Sequence, residues 1–150
     1  MAKTKMQEKS ISPSEYKELL GHVSLYSINM ESCSSQIRRN FLDKSFLPDK
    51  SLQINIEDKT KYDLPDENTV IFTHNFLLVG TKKNKKDFGI KIECSFAVKF
   101  TSEVSLSTDF LDIYGKFNLH LNTWPYFREF VQSITSRMGI PPLTMPLLKQ

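Results

Sequence analysis

Glycine, cysteine, histidine and net charge are all scarce in this chain. Five glycines in 150 residues leave no Gly-rich loop to cradle a phosphate, and no G-x-S-x-G elbow is present. The two cysteines, Cys33 and Cys94, form no C-x-x-C pair and have no histidine near them in sequence. Neither a zinc ribbon nor a disulfide framework is written there, and the pattern predicts buried free thiols acting as small apolar residues in strands. The three histidines, His22, His74 and His120, stand on different segments without metal-ligand spacing. His74 falls on an apolar strand face, which predicts a packed imidazole rather than a ligand. The nearest acid pair, Asp109 and Asp112, reads as helix-start charge complementing the macrodipole. No catalytic constellation can be assembled, which disfavours an enzyme, and neither a cofactor nor a metal is implied.

A formal net charge of +3 is too small to imply nucleic acid as a partner. Lys82, Lys83, Lys85 and Lys86 are not interleaved with aromatics on which bases could stack, so they read as a solvated turn. No run approaches the roughly 20 apolar residues that span a bilayer, and the N-terminus has no secretory h-region. Neither a membrane partner nor secretion is implied, and the expected compartment is the cytoplasm.

What is present is apolar pattern: 39% of the residues are hydrophobic, with 11 phenylalanines. The length predicts one domain spanning residues 1–150, with residues 1–10 as a polar, mobile tail. Ser12-Pro13-Ser14-Glu15 has the form of a capping box with proline at the first helical position, and Tyr16, Leu19, Leu20 and Val23 continue at helical spacing. Strand alternation follows in Tyr26, Ile28 and Met30. Val23 and Leu25 lie on the opposite parity, which predicts a bulge or a longer helix. The polar residues from Cys33 to Asn40 could extend the strand. Phe41, Leu42, Phe46 and Leu47 are large apolar residues in a loop. Leu52, Ile54 and Ile56 alternate as a second strand, and the charged stretch 58–68 reads as turn. Val70, Phe72, His74 and Phe76 form a third strand. The cleanest alternation is the last, Phe88, Ile90, Ile92, Cys94, Phe96, Val98 and Phe100. Phe110, Ile113, Tyr114 and Phe117 predict a short helix. Four antiparallel strands followed by helices predict an α+β domain, with the C-terminal helices packed on one sheet face.

The stretch Trp124 to Leu143 is the most defined. Thr123 is placed as a helix cap and Pro125 in the first turn. Phe127, Val131, Ile134 and Met138 recur at i, i+4, i+7 and i+11 as one apolar stripe. Gly139 suits the left-handed residue that ends a helix, Ile140 the closing hydrophobic contact, and Pro141-Pro142 forbid continuation.

The run Trp-Pro-Tyr-Phe-Arg-Glu-Phe (124–130), followed by Gly139-Ile140-Pro141-Pro142-Leu143-Thr144-Met145-Pro146, resembles the C-terminal helix and Pro-rich exit of the SecB family of protein-export chaperones. About twenty-five residues carry the likeness, and the rest agrees in element order. The resemblance implies a holdase that works without nucleotide, assembles as a homotetramer (a dimer of dimers), and binds unfolded client polypeptides in apolar grooves. It implies client binding by Phe41, Leu42, Phe46, Leu47, Leu52, Ile54, Ile56, Ile140, Leu143 and Met145. The helix stripe Phe127, Val131, Ile134 and Met138 is then the expected oligomer interface, and Glu31 and Glu93 are the positions expected to meet the export motor SecA. Typical members are acidic, whereas this chain is slightly basic, and Ser35 stands where a further acidic residue is expected. Those departures favour the relatives that protect an unstable antitoxin in a toxin–antitoxin system. The competing reading is a small-ligand binding module with a pocket between sheet and helix.

Overall fold

The computed structural model describes residues 11–39, 52–82 and 87–140. The elements run α1 (Pro13–Leu20), β1 (Val23–Ile37), β2 (Leu52–Asp66), β3 (Thr69–Lys82), β4 (Phe88–Ser102), α2 (Thr108–Lys116) and α3 (Asn118–Arg137). The strands form one antiparallel sheet in the order β1-β4-β3-β2, and the helices lie on one of its faces. The expected α+β architecture is the one observed. Among the described residues no helix is long and apolar enough to cross a membrane.

Alternation decides which face is covered. Val70, Phe72, His74, Phe76 and Leu78 of β3 and Ile90, Ile92, Cys94, Phe96, Val98 and Phe100 of β4 are all buried. The residues between them, such as Lys91, Ala97 and Lys99, face the other side. Two clusters result. Phe76, Leu78, Ile90, Ile92, Cys94 and Phe96 pack with Phe127 and Val131 of α3. Val70, Phe72, Val98 and Phe100 pack with Phe110, Leu111 and Tyr114 of α2 and with Leu119. Helix α1 closes the second cluster, its Tyr16 ring 5.0 Å from Phe110 and its hydroxyl bonded to Asn118. Gly115 lies close under β2 and β3, where a Cβ would come to 3.4 Å from the Phe72 ring and the Thr60 hydroxyl.

Local sequence sets the ends of these elements. The Ser12 hydroxyl accepts from the Glu15 amide at 3.2 Å, as the capping box requires. Ser107 caps α2 in the same way through the Phe110 amide. Gly139 has φ of 72°, the left-handed conformation that stops α3, and Ile140 packs against the first cluster. Two bulges interrupt β1, between Leu25 and Ser27 and between Met30 and Ser32. The extra residues are Tyr26 and Glu31. These bulges explain why the apolar positions of β1 change parity, and the strand runs on through the polar stretch to Ile37.

Several expectations need correcting. Of the stretch 58–68 only Glu67 and Asn68 form a turn: β2 continues to Asp66, because it is an edge strand, where charged residues and Pro65 are tolerated. Thr123 is not a cap. Helix α3 begins at Asn118, and Thr123 lies inside it, fully buried, with its hydroxyl 3.0 Å from the Leu119 carbonyl oxygen. Burial of Leu119 against the sheet extends the helix upstream, and Pro125 gives up only the amide bond to exposed Leu121. Cys33 is exposed, not buried, although it lies directly opposite buried Cys94, because β1 is an edge strand. Phe127 and Val131 are fully buried against the protomer's own sheet, so they have no surface left to lose on assembly. Met138 is also buried, and of the predicted interface stripe only Ile134 stays half-buried.

Phe127 stacks on Phe76 with ring centroids 4.5 Å apart and 8° between planes. Phe127→Ala therefore leaves a cavity at the helix–sheet contact, and the expected loss is about 3–5 kcal/mol of unfolding free energy, read from urea denaturation followed by far-UV circular dichroism.

Candidate functional site

Helix α3 turns different side chains to its two flanks. His120, Trp124 and Arg128 recur every fourth residue on the flank beside β2, where Trp124 lies 6.1 Å from Phe76. Tyr126, Phe130 and Ile134 recur on the flank beside β1, with the Tyr126 ring 6.4 Å from Phe96, the residue that pairs with Met30.

On the β2 flank, Ile54, Ile56, Asp58, Thr60 and Tyr62 face the helices, paired with Gly80, Leu78, Phe76, His74 and Phe72. Ile54 is 41% exposed, and Ile56 and Trp124 are half-buried on the rim of the first cluster. These three form an apolar strip beside the free edge of β2. The edge is unevenly protected. Glu57, Asp58, Lys59, Lys61, Asp63, Pro65 and Asp66 crowd its second half, while Leu52 to Ile56 carries no charge. Of the other residues expected to bind clients, Ile140 sits half-buried on the same cluster. Phe41, Leu42, Phe46, Leu47, Leu143 and Met145, and the side chain of Leu52, lie outside the described residues, as do Lys83, Lys85 and Lys86.

The cleft between sheet and helices lined by Val70, Phe72, Phe110 and Tyr114 leaves no room for a water molecule, whereas an open depression of about 450 Å³ lies between β2, β3 and α2, lined by residues such as Thr60, Tyr62, Leu111 and Asp112. The opposite sheet face carries an open trough of about 500 Å³ across all four strands, lined by residues such as Ser34, Glu57, Asn75, Leu77 and Glu93. Glu93 accepts from the Ser34 hydroxyl at 3.4 Å and lies 3.6 Å from Lys91 Nζ. Glu31 is exposed at the second bulge.

One cluster escapes the sequence altogether. Asp58 of β2, His74 of β3 and His120 of α3 meet between the two core clusters. His74 Nε2 lies 2.7 Å and His120 Nε2 2.6 Å from the same oxygen, Asp58 Oδ2. His74 Nδ1 lies 2.8 Å from the Thr123 hydroxyl. The three histidines do stand on different elements, yet two of them meet at Asp58. Only the pairing of β2 with β3 and the upstream start of α3 bring them together. The period-2 position of His74 was the one available signal. The expectation that His74 is packed holds, and it is fully buried.

Burial drives the His74 pKa below its ordinary value and the positive charge of His120 adds to this, against the hydrogen bond and charge of Asp58. Burial also acts on Asp58, upward. It is outweighed there by the hydrogen bonds and charges of the two imidazoles, which leave the carboxyl below its ordinary value.

No protein-family model matches this chain, and no curated protein matches it by sequence. Among solved structures, the Mycobacterium tuberculosis SecB-like chaperone Rv1957, in complex with a ChAD peptide from the HigA1 antitoxin Rv1956, superimposes with a TM-score of 0.72. It is 20% identical, over 88% of this chain and 95% of that one. A Streptococcus agalactiae protein of unknown function reaches a TM-score of 0.46 at 12% identity, over 83% of this chain and 97% of that one. The fold of the present chain is SecB-like.

Both pKa shifts make the native state acid-sensitive. The unfolded chain takes up a proton on His74 near pH 6.5, whereas the native state resists it. The corresponding stability is fully present above that pH and is lost as pH falls toward the lowered native value. Asp58 adds a second loss below its ordinary value of 3.8. The urea midpoint of chelator-treated protein should fall between pH 7.5 and 5, with a flatter slope in His74→Gln. A midpoint independent of pH over that range would contradict the assignment.

Proposed function

We propose that this chain is a holdase that keeps non-native polypeptide from aggregating without ATP, with an antitoxin-like segment among its clients. The observation that carries the reading is the apolar strip of Ile54, Ile56 and Trp124 beside the uncharged half of the free β2 edge. An extended client adds its backbone to that edge, and its alternate side chains enter the strip. Main-chain pairing tolerates many sequences. Each large apolar side chain buried contributes roughly 1.5–3 kcal/mol before ordering costs, so several modest contacts give broad selectivity. Phe41, Leu42, Phe46, Leu47, Leu52, Ile140, Leu143 and Met145 are proposed to extend the groove. The antitoxin peptide bound to the M. tuberculosis protein of the same fold supports a client of that kind.

A homotetramer built as a dimer of dimers is proposed to present these grooves. The surface suited to assembly is the β1 flank rather than the buried helix stripe. Met30 is 42% and Tyr126 51% exposed, with Leu25 further along the same strand. Contact with SecA is the less favoured extension. Glu93 shares its charge with Lys91, Ser35 lies close to Glu31 where a second acid was expected, and the sheet face between them is not strongly acidic.

Light scattering of a chemically unfolded model protein, without ATP, tests the holdase. Suppression is expected near one tetramer per client, and Ile54→Asp should weaken client affinity about tenfold while leaving the fold intact. No suppression by folded protein, together with no binding of an antitoxin-derived peptide, would overturn the reading. In size-exclusion chromatography with light scattering, Tyr126→Glu should lower the mass of the assembly. An unchanged mass would remove the β1 flank as the interface.

A further inference from the structure

We propose that Asp58, His74 and His120 form a site for one divalent metal ion of borderline softness, Zn²⁺ being the best fit, independently of client binding. Two imidazole nitrogens and one carboxylate oxygen are the donor set such ions take. The three donor atoms lie within 4.8 Å of one another. They come from three separate elements, β2, β3 and α3, with both Nε2 atoms converging on Asp58 Oδ2.

Proton bookkeeping around Thr123 allows the exchange of a proton for a metal. The Thr123 hydroxyl has one proton and two neighbours, His74 Nδ1 at 2.8 Å and the Leu119 carbonyl oxygen at 3.0 Å. The hydroxyl lies within bonding distance of both acceptors. When it donates to Nδ1, the Nε2–H of His74 donates to Asp58; when it donates to the Leu119 carbonyl it accepts from Nδ1–H, the single imidazole proton having moved from Nε2 to Nδ1. The Nε2 lone pair is then free to ligate, and Thr123 orients the ring from behind, as outer partners of metal-bound histidines do. Both acceptors are already in place. His120 is held differently: its Nδ1 is buried and has no hydrogen-bond partner among the described residues. No second bond therefore opposes a shift of this ring.

The movement required is below an ångström at each Asp58 contact. Tetrahedral zinc with ligand bonds of about 2.0–2.2 Å sets its donor atoms about 3.3 Å apart, so the two contacts of 2.6 and 2.7 Å must open by roughly 0.6–0.7 Å, and the two imidazole nitrogens, within 4.8 Å of each other, must settle at the same spacing. His74, with no exposed side-chain surface, is the fixed member. Asp58 at 33% and His120 at 25% side-chain exposure can move, and they give an ion its path from solvent. Three protein donors leave a coordination position open to water. A bound ion would tie the edge strand to α3 two residues from Ile56, and so brace the wall of the apolar strip.

The test is calorimetric titration of chelator-treated full-length protein with ZnCl₂, repeated with CoCl₂ while recording the visible d–d bands of tetrahedral Co²⁺. One equivalent per chain is expected, with a rise in Tm on saturation. His120→Gln and Asp58→Asn should each weaken Zn²⁺ binding at least tenfold and abolish the Co²⁺ bands and the Tm rise, while His22→Gln should match the wild type. Both variants alter partly exposed side chains, so the fold is expected to persist in each. Absence of Zn²⁺ binding by the wild type would overturn the site. Undiminished binding by both variants would also overturn it, by placing the ion elsewhere, as at exposed Cys33.

Discussion

Phe127 lies flat on Phe76, and this contact fixes where α3 rests on the sheet. β3 and β4 bury every second residue over their whole length, which demands a cover as long as the strands themselves. Helix α3 supplies it with Leu119, Thr123, Phe127, Val131 and Thr135 in a spacing of four. That spacing drifts slowly around the helix, so the helix crosses the sheet at an angle. Its two flanks then meet different edges: Trp124 approaches the β2 side and Tyr126 the β1 side. The proposed client strip and the proposed assembly surface both follow from this one placement.

Polar groups lie along the same seam. Thr135 returns its hydroxyl to the Val131 carbonyl at 2.8 Å, which satisfies it locally. Thr123 cannot be treated so simply, since it also meets His74. A fully buried imidazole is tolerated when both nitrogens are bonded, and Thr123 and Asp58 provide those bonds. Asp58 therefore has a structural task whether or not a metal replaces the imidazole protons. The chain thus places an acid-sensitive group where helix and edge strand meet, beside the strip proposed to hold clients.

How legible this was depended on the range of the physics. Period-2 alternation in Phe88 to Phe100 and the stop at Gly139 are local signals, and both elements are where they were expected. The parity change in β1 left a bulge and a longer helix both open; the structure has the bulge, with Tyr26 as its exposed extra residue. The start of α3 was misread, because Thr123 and Pro125 have the chemistry of a helix start, and burial of Leu119 overrode it. The second half of β2 was misread because charges on an edge strand look like turn.

By itself, then, the sequence determined the order of strands and helices, the apolar face of β3, β4 and α3, and the α+β class, but not the start of α3 or the second half of β2. Those properties come from residues within a few positions of each other. Tertiary structure alone decided that Phe127 and Val131 of the helix stripe are buried within the protomer, that Cys33 lies opposite Cys94, and that Asp58, His74 and His120 share one point. Each of these depends on strand order and helix placement, set by the total area buried between elements distant in the chain, which no short pattern encodes.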